Sequence, residues 1–414
     1  MRRLLGTARL SLASPARHPR TAVVIGRLLG VAFLTCFATG LYSHLIQNPL
    51  PGEAFLTRPV WIYRVSQGLH VTTGIACIPL LLGKLYTIFP LLFKWPPVKT
   101  IGSLLERASI ALFVSSSLVQ LAIGLVNTYQ WYPWHFGFRQ VHYALSYVII
   151  ASLAIHIAVK LPVIQRWWTK QASVDAQGEL LPVGDGEGES ARPVPADERP
   201  RGVTGLLMRL IDTPPKPSPK VSRRTVLGAV GVTTAAAVVL TAGQTVPALD
   251  AVNVFAPRKQ RYGPQSLPVN KTARSAGVID AARSPDWRLS VRGPSGTLRF
   301  TLDELRGMPQ TSVTLPISCV EGWSTNADWR GVRFSHLASL VGGSGREFVV
   351  RSIQKGAYSV SMLQPAFVRD PLTLVALELN GQILDIDHGY PARLIAPARP
   401  GVLQTKWLRS LEAR

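Results

Sequence analysis

Three kinds of side chain in this 414-residue sequence could do redox or metal chemistry: histidines inside apolar segments, one isolated cysteine, and basic residues near the C-terminus. His70, His142 and His156 lie within long apolar runs. An ionisable side chain inside a membrane is costly and usually functional. Because two imidazoles from facing helices can hold a b-type haem iron, these histidines predict one or two haem b groups inside a membrane.

Depth along the runs indicates which histidines could share a haem. His70 lies 11 residues after Pro59, and His142 lies 9 residues after Pro133, each counted from the outer start of its run. We therefore predict these two as the first haem pair. His156 follows His142 by 14 residues, which puts both on one helix face about 21 Å apart. His156 suits a second haem, for which the sequence shows no obvious partner.

Two further histidines flank the first run. His44 sits at its outer end and is retained as a candidate haem ligand, whereas His18 precedes the run. The competing interpretation is that the histidines are polar packing residues that hydrogen-bond between helices. Two histidines at matched depth and a third at haem spacing favour the haem interpretation.

Cys319 ends the apolar stretch "LPISCVEGWS" and is the only cysteine in the second half of the chain. A buried structural thiol is the ordinary interpretation of a lone cysteine. The following Glu321, Gly322 and Trp323 indicate a loop, however, and a thiolate is the soft ligand that a redox metal needs. We predict Cys319 as a metal ligand and catalytic residue.

A basic constellation lies seventy residues further on, in "LNGQILDIDHGYPARLIAPARPGVLQTKWL". His388, Arg393 and Lys406 are spread along a segment that is punctuated by glycine and proline. Such cations suit a phosphate-bearing ligand. Surface charges at these spacings would also be ordinary, so the chemistry alone is a weak signal.

The composition indicates a membrane protein. Hydrophobic residues make up 47% and charged residues only 16% of the chain, against about 25% charged residues in soluble domains. The net charge of +22 lies mostly beside apolar runs and has no nucleic-acid recognition motif around it, so we expect no nucleic-acid partner. The three cysteines form neither a disulfide framework in the second half nor a CxxCH motif for covalent haem.

Four apolar runs, near residues 22–46, 60–90, 106–127 and 138–163, are each long enough to cross a bilayer. Basic residues cluster before the first run, between the second and third, and after the fourth, which makes that side cytoplasmic; they are Arg2, Arg3, Arg9, Arg17, Arg20, Lys94, Lys99, Lys160, Arg166 and Lys170. The opposite loops offer only Arg58.

The rest of the chain divides into three parts. After a four-helix domain at 1–170, residues 171–221 are rich in proline, glycine and acid, and predict a disordered cytoplasmic linker. A fifth apolar helix is predicted at 222–246. Residues 247–414 read as a β-rich α+β domain outside the cytoplasm, with strands in "DWRLSVRG", "GTLRFTLDEL", "SVTLPISCV", "EFVVRSI", "AYSVSM", "LTLVALELNG" and "ARLIAPA" and a helix in "RFSHLASLVG".

The four-helix segment resembles the haem-b membrane subunits of formate dehydrogenase and nickel hydrogenase, which also carry two histidines 14 residues apart on their last helix. The resemblance covers about 140 residues and rests on few positions. It implies electron exchange with membrane quinone or quinol. The family takes an inner haem ligand from its first helix, where this sequence has no histidine.

Residues 283–412 resemble the molybdopterin domain of the sulfite-oxidase family. They carry "SCVEGWS", "WRGVRFSHL" and "DHGYPARL…P…G…KWL" in that family's order. The resemblance implies that Cys319 ligates molybdenum. It also implies that His388, Arg393 and Lys406, with Trp407 nearby, anchor molybdopterin.

Departures from sulfite oxidases point to another substrate. Those enzymes follow the cysteine with a Gly-Asn-Arg-Arg run that helps bind the sulfite dianion, whereas here an acid and an aromatic stand in its place. An immunoglobulin-like dimer domain is not expected after "KWL". Both features resemble small bacterial catalytic subunits, including periplasmic protein-methionine-sulfoxide reductases. Candidate pocket residues are Glu321, Trp323, Arg330, Tyr358 and Tyr390.

The fifth run begins with a resemblance to a twin-arginine export signal: Ser222, Arg223 and Arg224, then apolar Val226 and Leu227. Because a pterin cofactor is inserted in the cytoplasm, its domain must cross the membrane already folded, as the twin-arginine route allows. No clear A-x-A cleavage site follows, so we expect the run to remain as a helix.

Together these features predict a multi-pass protein of the bacterial cell membrane. It is expected to be a molybdenum oxidoreductase that couples oxygen-atom transfer, preferably reduction of a small-molecule or protein sulfoxide, to quinol through b haem. The opposite direction, oxidation of sulfite or another substrate, stays open. So do a metal-free binding module on a membrane anchor and an electron-transfer protein that uses haem alone.

Overall fold

The computed structural model describes residues 14–50, 55–93, 98, 100–173, 221–256 and 258–414. Five long helices come first: α1 Pro19–Gln47, α2 Ile62–Ile88, α3 Ile101–Thr128, α4 Phe138–Arg166 and α5 Arg223–Ala242. Each is long and apolar enough to cross a membrane, which makes this a multi-pass membrane protein. The predicted layout of five apolar helices before a β-rich domain is confirmed.

Several predicted features lie outside the described residues. They are the basic residues Arg2, Arg3, Arg9, Lys94 and Lys99 and nearly all of the linker predicted at 171–221.

The chain forms two compact units. The first comprises Met1–Leu34, Thr73–Asn127 and Tyr132–Val238. The second comprises Thr35–Thr72, Thr128–Trp131 and Val239–Arg414. The second unit therefore joins the β-rich segment to the adjoining ends of α1 and α2 and to the short segment after α3.

The core of the first unit is formed by four helices. Aliphatic and aromatic side chains at helical spacing turn inward from each of them; they are Ile25, Leu29, Ala32 and Phe33 of α1, Cys77, Leu80 and Leu81 of α2, Phe113 of α3, and Ile149 and Leu153 of α4. Leu227 and Val230 of α5 pack against this cluster. Proline is accommodated within α2 at Pro79 and within α4 at Pro162, as membrane helices tolerate.

The second unit contains two five-stranded sheets. One has the order β2-β1-β10-β5-β6, from Leu289–Gly293 (β1), Gly296–Phe300 (β2), Phe348–Ser352 (β5), Val360–Leu363 (β6) and Leu408–Ala413 (β10). Its β1–β10 pair is parallel and the others are antiparallel. The other has the order β3-β4-β7-β8 with β9 also on β7, from Gln310–Ser318 (β3), Ser324–Arg333 (β4), Leu374–Leu379 (β7), Gln382–Ile383 (β8) and Arg393–Ile395 (β9).

Short helices connect the strands: α6 Ala273–Ala276, α7 Ile279–Arg283, α8 Leu302–Gly307, α9 Phe334–Leu340 and α10 Pro365–Arg369. The prediction that "GTLRFTLDEL" is all strand is wrong for its second half, which is α8. Thr301 and Glu304 form a capping box there, with each side chain bonded to the other's backbone N–H. Such a box satisfies two otherwise unpaired donors and starts a helix.

Strand β7 lies between two hydrophobic clusters. Its Val375 and Leu377 join the larger cluster, whereas Leu374, Ala376 and Leu379 join the cluster that contains Cys319. Because successive side chains point to opposite faces of a strand, a strand buried on both faces is apolar throughout. The run "LTLVALEL" has this character, and it places β7 at the centre of the domain.

Residues near the membrane ends of α1 and α2 pack onto this domain within the second unit. Phe55 contacts the larger cluster and Val60 the cluster that contains Cys319. Arg58 makes a two-pronged ion pair with the buried carboxylate of Asp370, at 2.7 and 3.0 Å. The segment before α2 is therefore an integral part of the β-rich unit.

Candidate active site

Cys319 lies in the loop of the β3–β4 hairpin. The strands pair up to Ser318 and Ser324, whose hydroxyls lie 2.8 Å apart. The Cys319 N–H donates to the carbonyl of Trp323 at 2.8 Å and closes the loop. Leu315 and Ile317 alternate with outward residues and share the hydrophobic cluster with Cys319, so the strand period carries the thiol inward, where it is 4% exposed.

The Cys319 sulfur has one specific polar neighbour. The Asn270 amide donates to Sγ at 2.6 Å, and the amide is oriented by the Trp323 indole N–H, which donates to Asn270 Oδ1 at 3.0 Å. Burial raises the pKa of the Cys319 thiol, and the Glu321 carboxylate raises it further. A metal that binds here must therefore displace the thiol proton, and the amide donor would then stabilise the thiolate.

Glu321 is held in a polar cluster beside the cysteine. Gln130, from the segment after α3, donates to Glu321 Oε1. Arg258 lies 3.2 Å from Glu321 Oε2 and also donates to Gln130 Oε1 at 2.6 Å. Burial raises the pKa of Glu321 to about 7, and the Arg258 charge opposes that rise.

The predicted basic constellation is assembled around Gly389. This residue has φ +114, and a Cβ there would lie 3.1 Å from the Cβ atoms of both Arg393 and Lys406. Only glycine allows this backbone and this approach. Arg393 donates to the carbonyl of His388 at 2.9 Å, so the structure brings all three predicted anchors together.

The three anchors are positively charged or donor groups in a dry environment. Burial lowers the pKa of His388 to about 4, of Arg393 to about 9 and of Lys406 to about 7. His388 Nε2 donates to the carbonyl of Pro264 at 2.7 Å. Lys406 donates to the carbonyls of Lys271 and Asp387 at 2.6 and 2.8 Å.

Buried positive charge is left without a counter-ion in this region. Within the described part of the chain, neither Arg393 nor Lys406 has a carboxylate within 4 Å in an ion pair. Arg393 Nε is buried without a hydrogen-bond partner there. Buried charges are normally paired, so the cluster fits an anionic group such as a phosphate.

Trp407 and Arg399 flank the anchors. Trp407 is fully buried with Ala273, Val278 and Ala282, and its indole N–H donates to the carbonyl of Ile386 at 2.7 Å. In this position it supports the turn that carries His388. Arg399 is 2% exposed, donates to the carbonyl of Met362 at 2.6 Å, and has a buried Nη1 without a described hydrogen-bond partner.

The remaining pocket candidates separate into near and far groups. Tyr390 packs against the hydrophobic cluster that includes Cys319 and Trp323. Arg330 is exposed on β4 and lies 3.4 Å from Glu378. Tyr358 is exposed in the β5–β6 connection, where its carbonyl accepts from Gln354. Only Glu321, Trp323 and Tyr390 are thus placed with the cysteine.

The imidazole of His70 packs tightly in α2. Its Nδ1 lies 2.9 Å from the carbonyl oxygen of Cys36, and a Cβ at Gly40 would approach the ring to 2.8 Å. A carbonyl can only accept, so Nδ1 carries the proton and Nε2 has the lone pair that a metal requires. This arrangement is typical of a metal-binding histidine.

The other histidines are placed as follows. His142 lies on α4 beside Gly124, where a Cβ would be 3.4 Å from the ring, and near Phe138 with ring centroids 4.9 Å apart. His156 stacks on Phe113 at 5.7 Å, and its Nδ1 is buried without a hydrogen-bond partner among the described residues. His44 lies in the last turn of α1.

Several site residues were missed by sequence reasoning. Asn270 lies 49 residues before the cysteine in a stretch without a motif, and Gln130 and Arg258 are equally distant from Glu321 in sequence. The run "IAPARPG" gave a signal for Arg399 that was overlooked: a charged residue amid apolar ones, next to the Pro400 that bridges to Ser318.

Comparisons with known proteins agree with this geometry. Residues 275–414 match the family model described as "Oxidoreductase molybdopterin binding domain". The β-rich segment is a molybdopterin-binding oxidoreductase domain. Its relatives include mitochondrial sulfite oxidase of Rattus norvegicus, 32% identical over 155 residues, and nitrate reductase [NADH] of Solanum lycopersicum, 26% identical over 178 residues. The match covers 30% of this chain and 28% of the rat enzyme, and 33% of this chain and 19% of the nitrate reductase.

A different kind of relative is a protein of Azospira oryzae named "Putative protein-methionine-sulfoxide reductase subunit YedZ1". It is 34% identical over 134 residues, which cover 32% of this chain and 50% of that protein. The chain thus spans half or less of the length of these relatives. The expectation of a molybdopterin oxidoreductase is confirmed for the domain.

Proposed function

We propose that this protein is a membrane-anchored molybdenum oxidoreductase that reduces a sulfoxide-type substrate with electrons from membrane quinol. The observation that carries the proposal is the buried Cys319 thiol, bonded to Asn270, in a domain that also holds the uncompensated cations of Arg393 and Lys406. A soft sulfur ligand and an anion-binding cluster are the two features that a metal–pterin cofactor needs.

The residues present fit molybdopterin. Cys319 would ligate molybdenum, and His388, Arg393 and Lys406 would hold the anionic part of the pterin, with Trp407 supporting them. Among the described residues no three His, Cys, Asp or Glu side chains cluster as a metal site of their own. One cysteine therefore leaves most of the coordination to an organic ligand. When bound, the cofactor would supply two-electron redox chemistry with transfer of an oxygen atom.

The chain's own residues would set the conditions for that chemistry. Asn270 holds the sulfur in place and donates to it, while the indole of Trp323 fixes the amide. The apolar cluster around Cys319 excludes water from the sulfur. Exclusion of water strengthens every electrostatic interaction in the site.

The charge beside the cysteine favours a neutral substrate. Glu321 and Arg258 form an ion pair, so this pair presents no net positive charge to an incoming molecule. A sulfite dianion would gain little here, whereas a neutral sulfoxide would not be repelled. The name of the Azospira relative supports the same substrate class. Sulfite or another oxidation is the second candidate, supported by the similarity to sulfite oxidase.

Haem b is proposed as the membrane electron carrier, with one or two groups. His70 and His142 are the proposed first pair on the depth argument from sequence, and the protonated Nδ1 of His70 supports its role as a ligand. His156 is proposed for a second haem because its buried Nδ1 has no described partner. His44 stays a weaker candidate.

The catalytic domain is proposed to lie outside the cytoplasm of a bacterial cell. The start of α5 at Arg223 supports this, because the arginine pair stands at the helix end where a twin-arginine signal would be read. Four preceding helices return the chain to the cytoplasmic side before α5.

Metal analysis and difference spectra would test the proposal. Purified protein should contain molybdenum and show b-type bands in a reduced-minus-oxidised spectrum. In dithionite-reduced membranes, a sulfoxide should reoxidise the haem in the wild type and not in Cys319→Ser. Reoxidation that survives the loss of Cys319 would contradict the proposed site.

The same measurements separate the alternatives. A binding module on a haem-free anchor would show neither molybdenum nor b-type bands. An electron-transfer protein would show the bands without molybdenum. A sulfite oxidase would instead reduce its haem when sulfite is added to the oxidised protein.

A further inference from the structure

The Cys319 loop is held by residues from outside its own domain. Its carbonyl groups at Val320 and Gly322 accept hydrogen bonds from Gln67 of α2 and Thr245 after α5, each at 2.6 Å. All of these residues belong to the second unit. The outer part of α2 therefore touches the peptide bond directly after the cysteine.

Gln67 is well fixed for this contact. It is 5% exposed, and its Oε1 lies 3.4 Å from the Tyr63 hydroxyl one turn earlier, while Tyr63 in turn bonds Ser43 of α1 at 2.9 Å. This chain of hydrogen bonds leaves the amide nitrogen of Gln67 facing Val320. The donor is consequently presented by a rigid helix and not by a mobile loop.

The same face of α2 carries His70 and a second loop contact. Residues 67, 70 and 71 are three and four apart and so share one helix face. Val71 lies against Gly322, where a Cβ would come within 2.8 Å of Val71 Cγ2. Gln67 is about 4.5 Å from His70 along the helix axis. One turn of α2 thus joins the proposed haem ligand to the loop of the proposed molybdenum ligand.

We propose that this turn of α2 is the electron-delivery contact of the Cys319 site, with Gln67 as the positioning residue that links it to Val320. The inference rests on the proposed function. Each sulfoxide would take two electrons and two protons to give a sulfide and water, and a quinol would supply both pairs on becoming a quinone. The electrons would pass from α2 to the Cys319 loop through the hydrogen bond and the packed side chains.

The test is a pre-steady-state measurement on the full-length protein in detergent. Gln67→Met keeps the size of the side chain and removes the donor. Reoxidation of pre-reduced haem by a sulfoxide should slow by about tenfold, which is the size of effect that outer-shell partners have at metal sites. Hydrogen exchange of the peptides covering 319–323 should also quicken several-fold, because one buried hydrogen bond is lost.

Two control variants make the result specific. Gln47→Met changes a glutamine at the end of α1 that bonds only Ser43 of its own helix, so both readouts should stay at the wild-type value. Thr245→Val loosens the same loop without touching α2. It should quicken exchange at 319–323 and leave haem reoxidation fast.

The outcomes are distinguishable. Wild-type protein without molybdenum or b-type bands would overturn the proposed function and this inference with it. Normal molybdenum and bands with unchanged reoxidation in Gln67→Met would overturn the α2 contact alone. Equal slowing in Gln67→Met and Thr245→Val would also overturn it, because loop position and not the α2 contact would then control the rate.

Discussion

At the scale of single residues, the amide of Asn270 controls the environment of the Cys319 sulfur. In Asn270→Leu the sulfur loses its 2.6 Å donor and becomes more electron-rich. We expect about tenfold weaker molybdenum retention and a lower reduction potential of the metal, measured by elemental analysis and potentiometric titration.

Trp323→Phe is the matched control, because it removes only the N–H that orients Asn270. It should move both quantities in the same direction by a smaller amount. Unchanged potential and metal content in Asn270→Leu would show that the amide does not act on the metal.

The buried amine of Lys406 makes stability depend on pH in the cofactor-free protein. Burial lowers its pKa to about 7, whereas an unfolded lysine keeps its ordinary value near 10.5. Between these values the unfolded state binds more protons, so the free energy of unfolding should rise with pH. Over pH 7 to 9 the wild type should therefore gain more stability than Lys406→Met, as measured by thermal unfolding in detergent. The exposed Lys355→Met is the control, and a Lys406→Met profile parallel to the wild type would refute this prediction.

Residue types revealed the site chemistry only where motif and geometry coincide. Cys319 and the anchors His388, Arg393 and Lys406 were predictable because a short segment carries each motif. Asn270 and Arg258 were not, because their roles arise from chain segments that meet only after folding. Glu321 could be named from sequence, but its ion pair with Arg258 could not.

At the scale of elements, the Cys319 hairpin loop depends on Gly322. This residue has φ +109, and a Cβ there would lie 2.8 Å from both Val71 and Gln244. Gly322→Ala should therefore displace the loop and lower the free energy of unfolding by about 1–3 kcal/mol or more, with loss of bound molybdenum.

Gly296→Ala separates backbone strain from steric clash. Gly296 turns between β1 and β2 with φ +122, but nothing lies within 4 Å of its added Cβ. It should cost about 1 kcal/mol and leave the molybdenum content intact. Equal effects of the two variants would mean that the contacts of Gly322 with Val71 and Gln244 are unimportant.

The long elements were predictable from hydropathy, and the short ones less so. All five apolar runs became helices within a few residues of the expected bounds, because a bilayer-length apolar run has few alternatives. Strand β7 was found for the same reason. Strand β4, "STNADWRGVR", was missed because its small and charged residues hide the alternation that tertiary contacts impose.

At the scale of the whole molecule, the arginine pair at the start of α5 is expected to direct export of the folded domain. Replacing Arg223 and Arg224 with lysines keeps the charge and removes the recognised pair. We expect α1 to α4 to remain inserted while the domain after α5 stays inside, as reported by thiol labelling of an exposed position such as Tyr262→Cys in intact cells.

Arg166→Lys, at the end of α4, is the control with the same charge-conserving change, and its labelling should equal that of the Tyr262→Cys parent. Labelling of the domain from outside in the double-lysine variant would show that the pair is not an export signal.

The ion pair of Arg58 with Asp370 and the hydrogen bond of Gln67 with Val320 join positions 312 and 253 residues apart in sequence. Contacts of such long range close late, since the chain entropy lost in forming them is large. The ends of α1 and α2 are synthesised far ahead of the domain they support, and they must wait for it. Completion of the Cys319 loop would consequently be among the last events in the biogenesis of this protein, so a chain whose domain has not arrived would have no finished site at which to reduce anything.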